Sequence, residues 1–150
     1  MKIRKARNSD LGPVESLLTA NDLPIDGVRD NFESFIVAVD NDAIVGAIGL
    51  EKFDSAALLR SAVVRSEARG DGVGRQLVEQ ILERAEQSGI DEVYLLTTTA
   101  EDYFPRFGFS RTTRAAVPES VKASAEFRGA CPDTAVVMER RIGTSARVRK

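Results

Sequence analysis

Residues 62–75 read Ala62-Val63-Val64-Arg65-Ser66-Glu67-Ala68-Arg69-Gly70-Asp71-Gly72-Val73-Gly74-Arg75. An apolar run ends, a polar connection follows, and a glycine-rich turn opens onto Val73, Leu77, Ile81 and Leu82, which recur at helical spacing. Arg75, Glu79, Glu83 and Arg84 supply the polar face until Ser88-Gly89 stops the pattern. A glycine-rich loop at a helix start suits an anion. The first N–H groups of a helix have no partner within it, the absent Cβ allows close approach, and the helix dipole adds positive potential. The fitting ligand group is a phosphate or pyrophosphate; the competing reading is a softened turn that binds nothing. Two familiar phosphate loops fit badly. A P-loop needs Gly-Lys-Ser/Thr, but Gly74 is followed by Arg75-Gln76, and the dinucleotide fingerprint needs a small residue where Arg75 stands.

Working outward, Ala56 to Val64 is nearly all apolar, as for a strand covered on both faces, except for Arg60 and Ser61 in its middle. Upstream, Lys2 to Arg7 alternates like a strand, and Ser9-Asp10 offer an N-cap for a helix carrying Leu11, Val14, Leu17 and Leu18 up to Asn21. Asp22 to Gly27 reads as a turn before a short helix near Val28 to Phe32. Phe35 to Val39, Asp40-Asn41-Asp42 and Ala43 to Glu51 read as a hairpin, with Gly46 and Gly49 leaving room for a close neighbour or a bulge. Downstream, Glu92 to Thr98 is a further strand, Ala100 to Phe107 a short helix stopped by Gly108, and Phe109 to Thr113 and Thr134 to Arg141 two late strands. Pro118 and a helix from Glu119 to Phe127 lie between these two strands, and Gly143 to Lys150 is a loose basic tail.

The 150 residues hold 21 basic and 23 acidic side chains, no His, one Cys and 43% hydrophobic residues, which suits one compact soluble domain with its own core. A formal charge of -2 gives no overall cationic field for nucleic acid. No apolar run approaches the roughly 20 residues that span a bilayer, and one Cys cannot close an internal disulfide, so a reduced, cytoplasmic setting without membrane contact is expected. Without His, and with a single thiol, no metal site is expected, and proton transfer falls to carboxylates, Tyr, Lys, the thiol or water.

Arg69-x-x-Gly72-x-Gly74 after a strand ending Ala62-Val63-Val64 resembles the acetyl-CoA signature of the GNAT superfamily of N-acetyltransferases. The order of elements and a Phe107-Gly108-Phe109 ending after a short helix extend the resemblance along nearly the whole chain. Leu58-Leu59-Arg60-Ser61, Tyr94-Leu95-Leu96-Thr97-Thr98-Thr99-Ala100, and Glu126-Phe127 followed by Cys131-Pro132 resemble the arsenic-resistance-associated branch. The fold this implies is a single α/β (α+β) domain over residues 1–142. Its central mixed, mostly antiparallel sheet would have about six to seven strands flanked by helices, and its central strands would splay apart. The resemblance further implies that backbone amides of Gly70, Asp71, Gly72, Val73, Gly74 and Arg75 receive the pyrophosphate of acetyl-CoA, and that Arg69 shapes or charges the loop. Val63 and Val64 would pair with the pantetheine arm, and an N–H near Val64 would face the developing oxyanion.

The acceptor side is less patterned. The family often has Tyr four residues before the Gly of the Gly-Phe pair, but that position is Phe104; Tyr103, one step earlier, is the candidate acid or an ordinary packing aromatic. Tyr94 is a second possibility. Glu51 is the candidate base near the acceptor mouth, or a solvated carboxylate closing the hairpin. Arg60, with Ser61, anchors a substrate carboxylate or makes a structural ion pair. Thr97, Thr98 and Thr99 offer hydroxyls to the acceptor or simply suit a strand. Cys131, with no imidazole to activate it, reads as a packing residue. The leading function is therefore direct acetyl transfer from acetyl-CoA to a small, amino-acid-like amine. Acetylation of a protein amine and noncatalytic acyl-CoA sensing are the rivals. A homodimer is compatible with such a domain, and no motif specifies it.

Overall fold

The computed structural model describes residues 1–98, 100–124, 126–130 and 135–142. Its regular elements are β1 (Lys2–Lys5), α1 (Leu11–Ala20), β2 (Phe35–Asp40), β3 (Ala43–Phe53), β4 (Ala56–Val64), α2 (Val73–Gln87), β5 (Glu92–Thr97), β6 (Ser110–Thr112), α3 (Glu119–Lys122) and β7 (Val136–Arg141). The strands hydrogen-bond in the order β1-β2-β3-β4-β5-β7-β6, a seven-stranded sheet. β4 and β5 pair parallel, while β1–β2, β2–β3, β5–β7 and β6–β7 are antiparallel, so the mixed sheet is the one expected. Two compact units partition the chain: Met1–Leu50 with Arg60–Leu82, and Glu51–Leu59 with the described residues from Glu83 onward.

In the first unit, the β2–β3 hairpin turns through Asn41 and Asp42, both at positive φ (52° and 64°), the backbone a two-residue primed turn requires. Val14 and Leu18 of α1 pack with Phe35, Val37, Ala47 and Val63. On the residue next to Ala47, a Cβ built on Gly46 would meet Leu77 Cδ1 at 3.0 Å and the Val63 carbonyl at 3.1 Å. Neighbouring strand residues face opposite ways, so α1 and the first part of α2 cover opposite faces of β3. Gly49 has no room at all: its Cβ would fall on the ring of Phe35.

Three helix boundaries differ from expectation. Asp10 does not cap α1; its carboxylate accepts from the Arg7 N–H at 2.7 Å and from Arg4 Nη1 at 2.7 Å and Nη2 at 3.2 Å, which winds Asn8–Asp10 into a 3-10 turn ahead of the helix. The charge of Arg4 outcompetes the neutral N–H groups of α1 for that carboxylate. Between Ala100 and Phe107 the only helical turn is a 3-10 turn at Phe104–Phe107, ended by Gly108 at φ 88°. Glu119 to Phe127 is likewise α-helical only as far as Lys122, and a π-helical turn occupies Glu126–Ala130.

In the second unit, β7 lies between β5 and β6, pairing Glu92↔Arg141 through Thr97↔Val136 on one side and Ser110↔Glu139 through Thr112↔Val137 on the other. Ala56, Leu58, Tyr94, Val117, Val121 and Val137 form its buried cluster. The Thr134 start of the last strand, Thr99, Cys131 and the 143–150 tail lie outside the described residues.

Candidate functional site

The glycine-rich turn is built as the sequence suggests. β4 ends at Val64, a 3-10 turn occupies Ser66–Ala68, and Gly70 and Gly72 take φ values of 90° and 80° before α2 begins at Val73. Such values are almost free for glycine and strained for other residues. A Cβ at either glycine would meet nothing within 4 Å, so what a side chain would occupy is open space. The first hydrogen bond of α2 runs from the Gln76 N–H to the Gly72 carbonyl at 3.1 Å. Gly72 is therefore the N-cap, and Val73, Gly74 and Arg75 carry first-turn N–H groups with no acceptor inside the helix. Arg75 pairs with Glu79 one turn on, at 3.7 Å and largely exposed, and Asp71 is exposed between the two glycines.

Arg69 is the buttress of this turn. Its Nε donates to the carbonyl of Val64 at 3.1 Å, and its Nη2 donates to Oδ1 of Asn21, the residue that closes α1. Asn21 in turn donates from Nδ2 to the Leu17 carbonyl at 2.9 Å. Asn21 was not foreseen from the sequence. A helix-ending Asn is a familiar signal, but its pairing with Arg69, 48 residues away, is a product of tertiary placement.

β4 carries the second unforeseen feature. Ser61 holds a left-handed backbone, φ 61°, in mid-strand; every residue from Ala56 to Ser61 is buried, Ala62 is exposed and Val63 is buried again. For a serine such a conformation costs about 1–3 kcal/mol and persists only where the surroundings impose it. Arg60, 2% exposed, donates from Nε to Ser61 Oγ at 3.0 Å. Val63 packs into the first core, and Val64 is half-buried. Arg60, Ser61, Val63, Val64 and Arg69 through Arg75 all belong to the first unit.

The second unit holds Glu51, Tyr94, Thr97, Thr98 and Tyr103. Glu51 is 7% exposed and lies inside β3, which runs on to Phe53, so the reading of a solvated carboxylate closing the hairpin is corrected; Asp54 and Ser55 make that turn instead. Tyr94 is 3% exposed in the hydrophobic cluster, and its hydroxyl donates to Glu92 Oε1 at 2.8 Å. Burial first, then the bond to Glu92 and the negative charge of Glu92 and Glu139, raise its pKa well above the usual tyrosine range. A hydroxyl so held is a poor proton donor to a leaving thiolate. Tyr103 is half-buried, packs edge-on against Phe104 and Phe107 with ring centroids 5.4 and 5.2 Å away, and carries the Arg106 guanidinium 5.0 Å over its face. Phe104, at the family's tyrosine position, is buried against Phe109. Thr97 uses its Oγ1 to accept from the Ala100 N–H at 2.9 Å, and Thr98 is exposed just beyond the end of β5. Among the described residues no group of His, Cys, Asp and Glu is arranged to hold a metal ion, and no helix is long and apolar enough to cross a membrane.

Residues 31–111, more than half of the chain, match the model of the acetyltransferase (GNAT) domain. An uncharacterized N-acetyltransferase of Chlorobaculum tepidum is 26% identical over 117 residues, 75% of each chain. Uncharacterized protein YwlB of Bacillus subtilis is 29% identical over 130 residues, 84% of this chain and 86% of its own. Among solved structures, N-acetylglutamate synthase from Neisseria gonorrhoeae, complexed with coenzyme A and N-acetyl-glutamate, superposes with a TM-score of 0.82 at 19% identity. That match covers 95% of this chain, which spans only 35% of the synthase. Rv2747 from Mycobacterium tuberculosis, in complex with CoA, superposes with a TM-score of 0.79 at 19% identity over 95% of this chain and 100% of its own.

Proposed function

The chain belongs to the acetyltransferase (GNAT) domain family, and from that premise we propose that it transfers an acetyl group from acetyl-CoA directly to the primary amine of a small, amino-acid-like substrate. The observation that carries this reading is the turn before α2. Two left-handed glycines face open space beside first-turn N–H groups, a cradle that any Cβ would begin to fill. It fits a pyrophosphate, with the amides of Gly70 through Arg75 as donors. Val63 and Val64, at the end of β4, are assigned to strand-like pairing with the pantetheine arm.

Acetyl-CoA supplies an activated thioester. The acceptor must reach it as a neutral amine, and Glu51 is the carboxylate assigned to take the ammonium proton, directly or through water. The amine nitrogen bonds to the carbonyl carbon as the oxyanion develops, and a Val64 N–H is assigned to that charge. When the carbon–sulfur bond breaks, the attacking nitrogen releases its second proton to water, which restores the acid, and the thiolate takes a proton. Tyr103 is assigned to give it because Tyr94, the other tyrosine, is buried and committed to Glu92. Arg60 with Ser61, and Thr97 with Thr98, are assigned to the acceptor.

An amino-acid-like acceptor is favoured by the buried guanidinium of Arg60, suited to a carboxylate, and by the amino-acid product bound to the Neisseria synthase. The phrases that resemble the arsenic-resistance-associated branch make arsenic-related and other toxic amino-acid analogues worth including among the compounds tested. Calorimetric titration with acetyl-CoA, with NAD and ATP as controls, followed by CoA-thiol release with a panel of amines, tests the proposal. Saturable, selective binding and turnover with a small amine support it. Binding without turnover points to an acyl-CoA sensor, preference for peptide amines to a protein acetyltransferase, and no binding overturns the reading.

A further inference from the structure

We propose that Asn21 is a positioning residue for acetyl-CoA, acting through Arg69 on the glycine turn; this rests on the reading of that turn given above. The side chain of Asn21 is fixed at both ends. Its Nδ2 donates to the Leu17 carbonyl, one of the acceptors α1 leaves unmatched at its C-terminus, and its Oδ1 accepts from Arg69 Nη2. A flipped amide would aim its NH2 at the guanidinium and its oxygen at the carbonyl, so only one orientation satisfies both neighbours.

The backbone below it is equally determined. The Leu23 N–H bonds the Leu18 carbonyl at 2.9 Å and the Asp22 N–H the Thr19 carbonyl at 3.1 Å, with Asp22 left-handed at φ 60°. That is the paired closure of a Schellman motif, with Leu18 in the core beneath it and Leu23 packed against that core. Asn21 is thus a rigid post on a helix anchored in the core through Val14 and Leu18.

Arg69 Nε and Nη2 lie along one edge of the guanidinium plane. That edge bridges the last residue of β4 and the last turn of α1. The clamp closes the connection 65–69 at both ends and sets where the chain enters Gly70, whose own conformation is soft. Glycines that leave space for a ligand supply no order themselves, since they lose the most backbone freedom on being fixed. The order must come from a neighbour, and the Asn21–Arg69–Val64 bonds supply it. Asn suits the post because it both donates to the helix end and accepts from the arginine; Ala does neither, and Asp can only accept.

The test is a set of acetyl-CoA dissociation constants by calorimetry, with melting temperatures alongside. Asn21→Ala is expected to weaken binding about fivefold, the scale of the net contribution of one ordinary hydrogen bond. Arg69→Ala should weaken it at least as much, and the double variant no more than Arg69→Ala alone, since both remove one linkage. Asn21→Asp keeps an acceptor facing Arg69 but loses the bond to Leu17. It should recover most of the affinity of the wild type even if its melting temperature falls, a rescue that a purely structural role would not produce. Wild-type affinity in Asn21→Ala, or additive losses in the double variant, overturns the proposal. Failure of the wild-type protein to bind acetyl-CoA would instead overturn the functional reading beneath it.

Discussion

The hydroxyl of Tyr94 donates to the carboxylate of Glu92 at 2.8 Å, two residues back on the same strand, and the other oxygen of Glu92 lies 3.3 Å from Arg141 on the paired strand β7. Residues two apart share a face of a strand, so the contact follows directly from the extended backbone. The tyrosine body is buried while its polar end faces a negative charge. Ionising it would desolvate one anion beside another, which is why its pKa is raised. Because the folded state holds this proton more tightly than the unfolded chain does, the linked stability is full below pH about 10 and is lost as pH rises through the folded-state pKa. In a spectrophotometric titration Tyr94 should ionise later than an ordinary tyrosine, with unfolding, and Tyr94→Phe should remove that late step. A normal tyrosine titration in the folded protein would contradict the geometry.

At the other end of the pH range, Asp10 is held by Arg4 and by the Arg7 N–H, and these bonds, the one to Arg4 foremost, lower its pKa. Its carboxylate is more stable folded than unfolded, so that stability is present above pH about 4 and is lost as pH falls through the lowered value. Asp10→Ala removes one member of a largely buried pair and should cost about 3 kcal/mol at neutral pH. The gap in melting temperature between the two proteins should narrow progressively in acid. A gap independent of pH would mean that the pair contributes nothing electrostatic.

Gly72→Ala and Gly72→Glu both place a Cβ at φ 80°, at a shared cost of about 1–2 kcal/mol, and both project into open space. Only the second brings a carboxylate to the proposed pyrophosphate site. Melting temperatures should fall alike, whereas acetyl-CoA binding should survive weakened in Gly72→Ala and disappear in Gly72→Glu. Equal affinities would remove the turn from the binding site.

Gly49→Ala presents the opposite case, because the added methyl would fall on the fully buried ring of Phe35. The strand cannot move away without breaking the Phe35↔Gly49 register. Overpacking of this kind costs about 1–3 kcal/mol or more, and Phe35→Leu in the same chain should recover part of the loss. Denaturant unfolding of the single and double variants reads the effect directly, and additivity would show that the two positions do not clash.

The elements written as local patterns were legible. The turn at Asn41 and Asp42, the run Ala56–Val64 and the helix from Val73, closed by the Gly89 N–H to the Glu86 carbonyl at 3.1 Å and the Ile90 N–H to the Ala85 carbonyl at 3.0 Å, follow from residue types a few positions apart. Readings failed where a distant partner chose between local options. Asp10 sits at a plausible cap, but Arg4 on β1 claims its carboxylate. Glu51 looks like an exposed strand end until β3 extends past it. The left-handed Ser61 has no sequence signal, since serine gives no hint of such a backbone. The glycine turn was readable because its residues announce it, and the buttress behind it was not, because Asn21 and Arg69 meet only once the chain has folded.

The strand order of the second unit also bears on how a ribosome delivers this protein. β6 leaves the tunnel before β7, yet the two neighbours it must join, directly and at one remove, are β7 and β5. Until residues 136–141 emerge, β5 presents an open row of backbone donors and acceptors on one side, and β6 has no template. An incomplete sheet edge of this kind recruits strands from other nascent chains. Synthesis that stalls between Thr112 and Val136 would therefore leave a species prone to misassociation, and β7 acts as the lock that retires it.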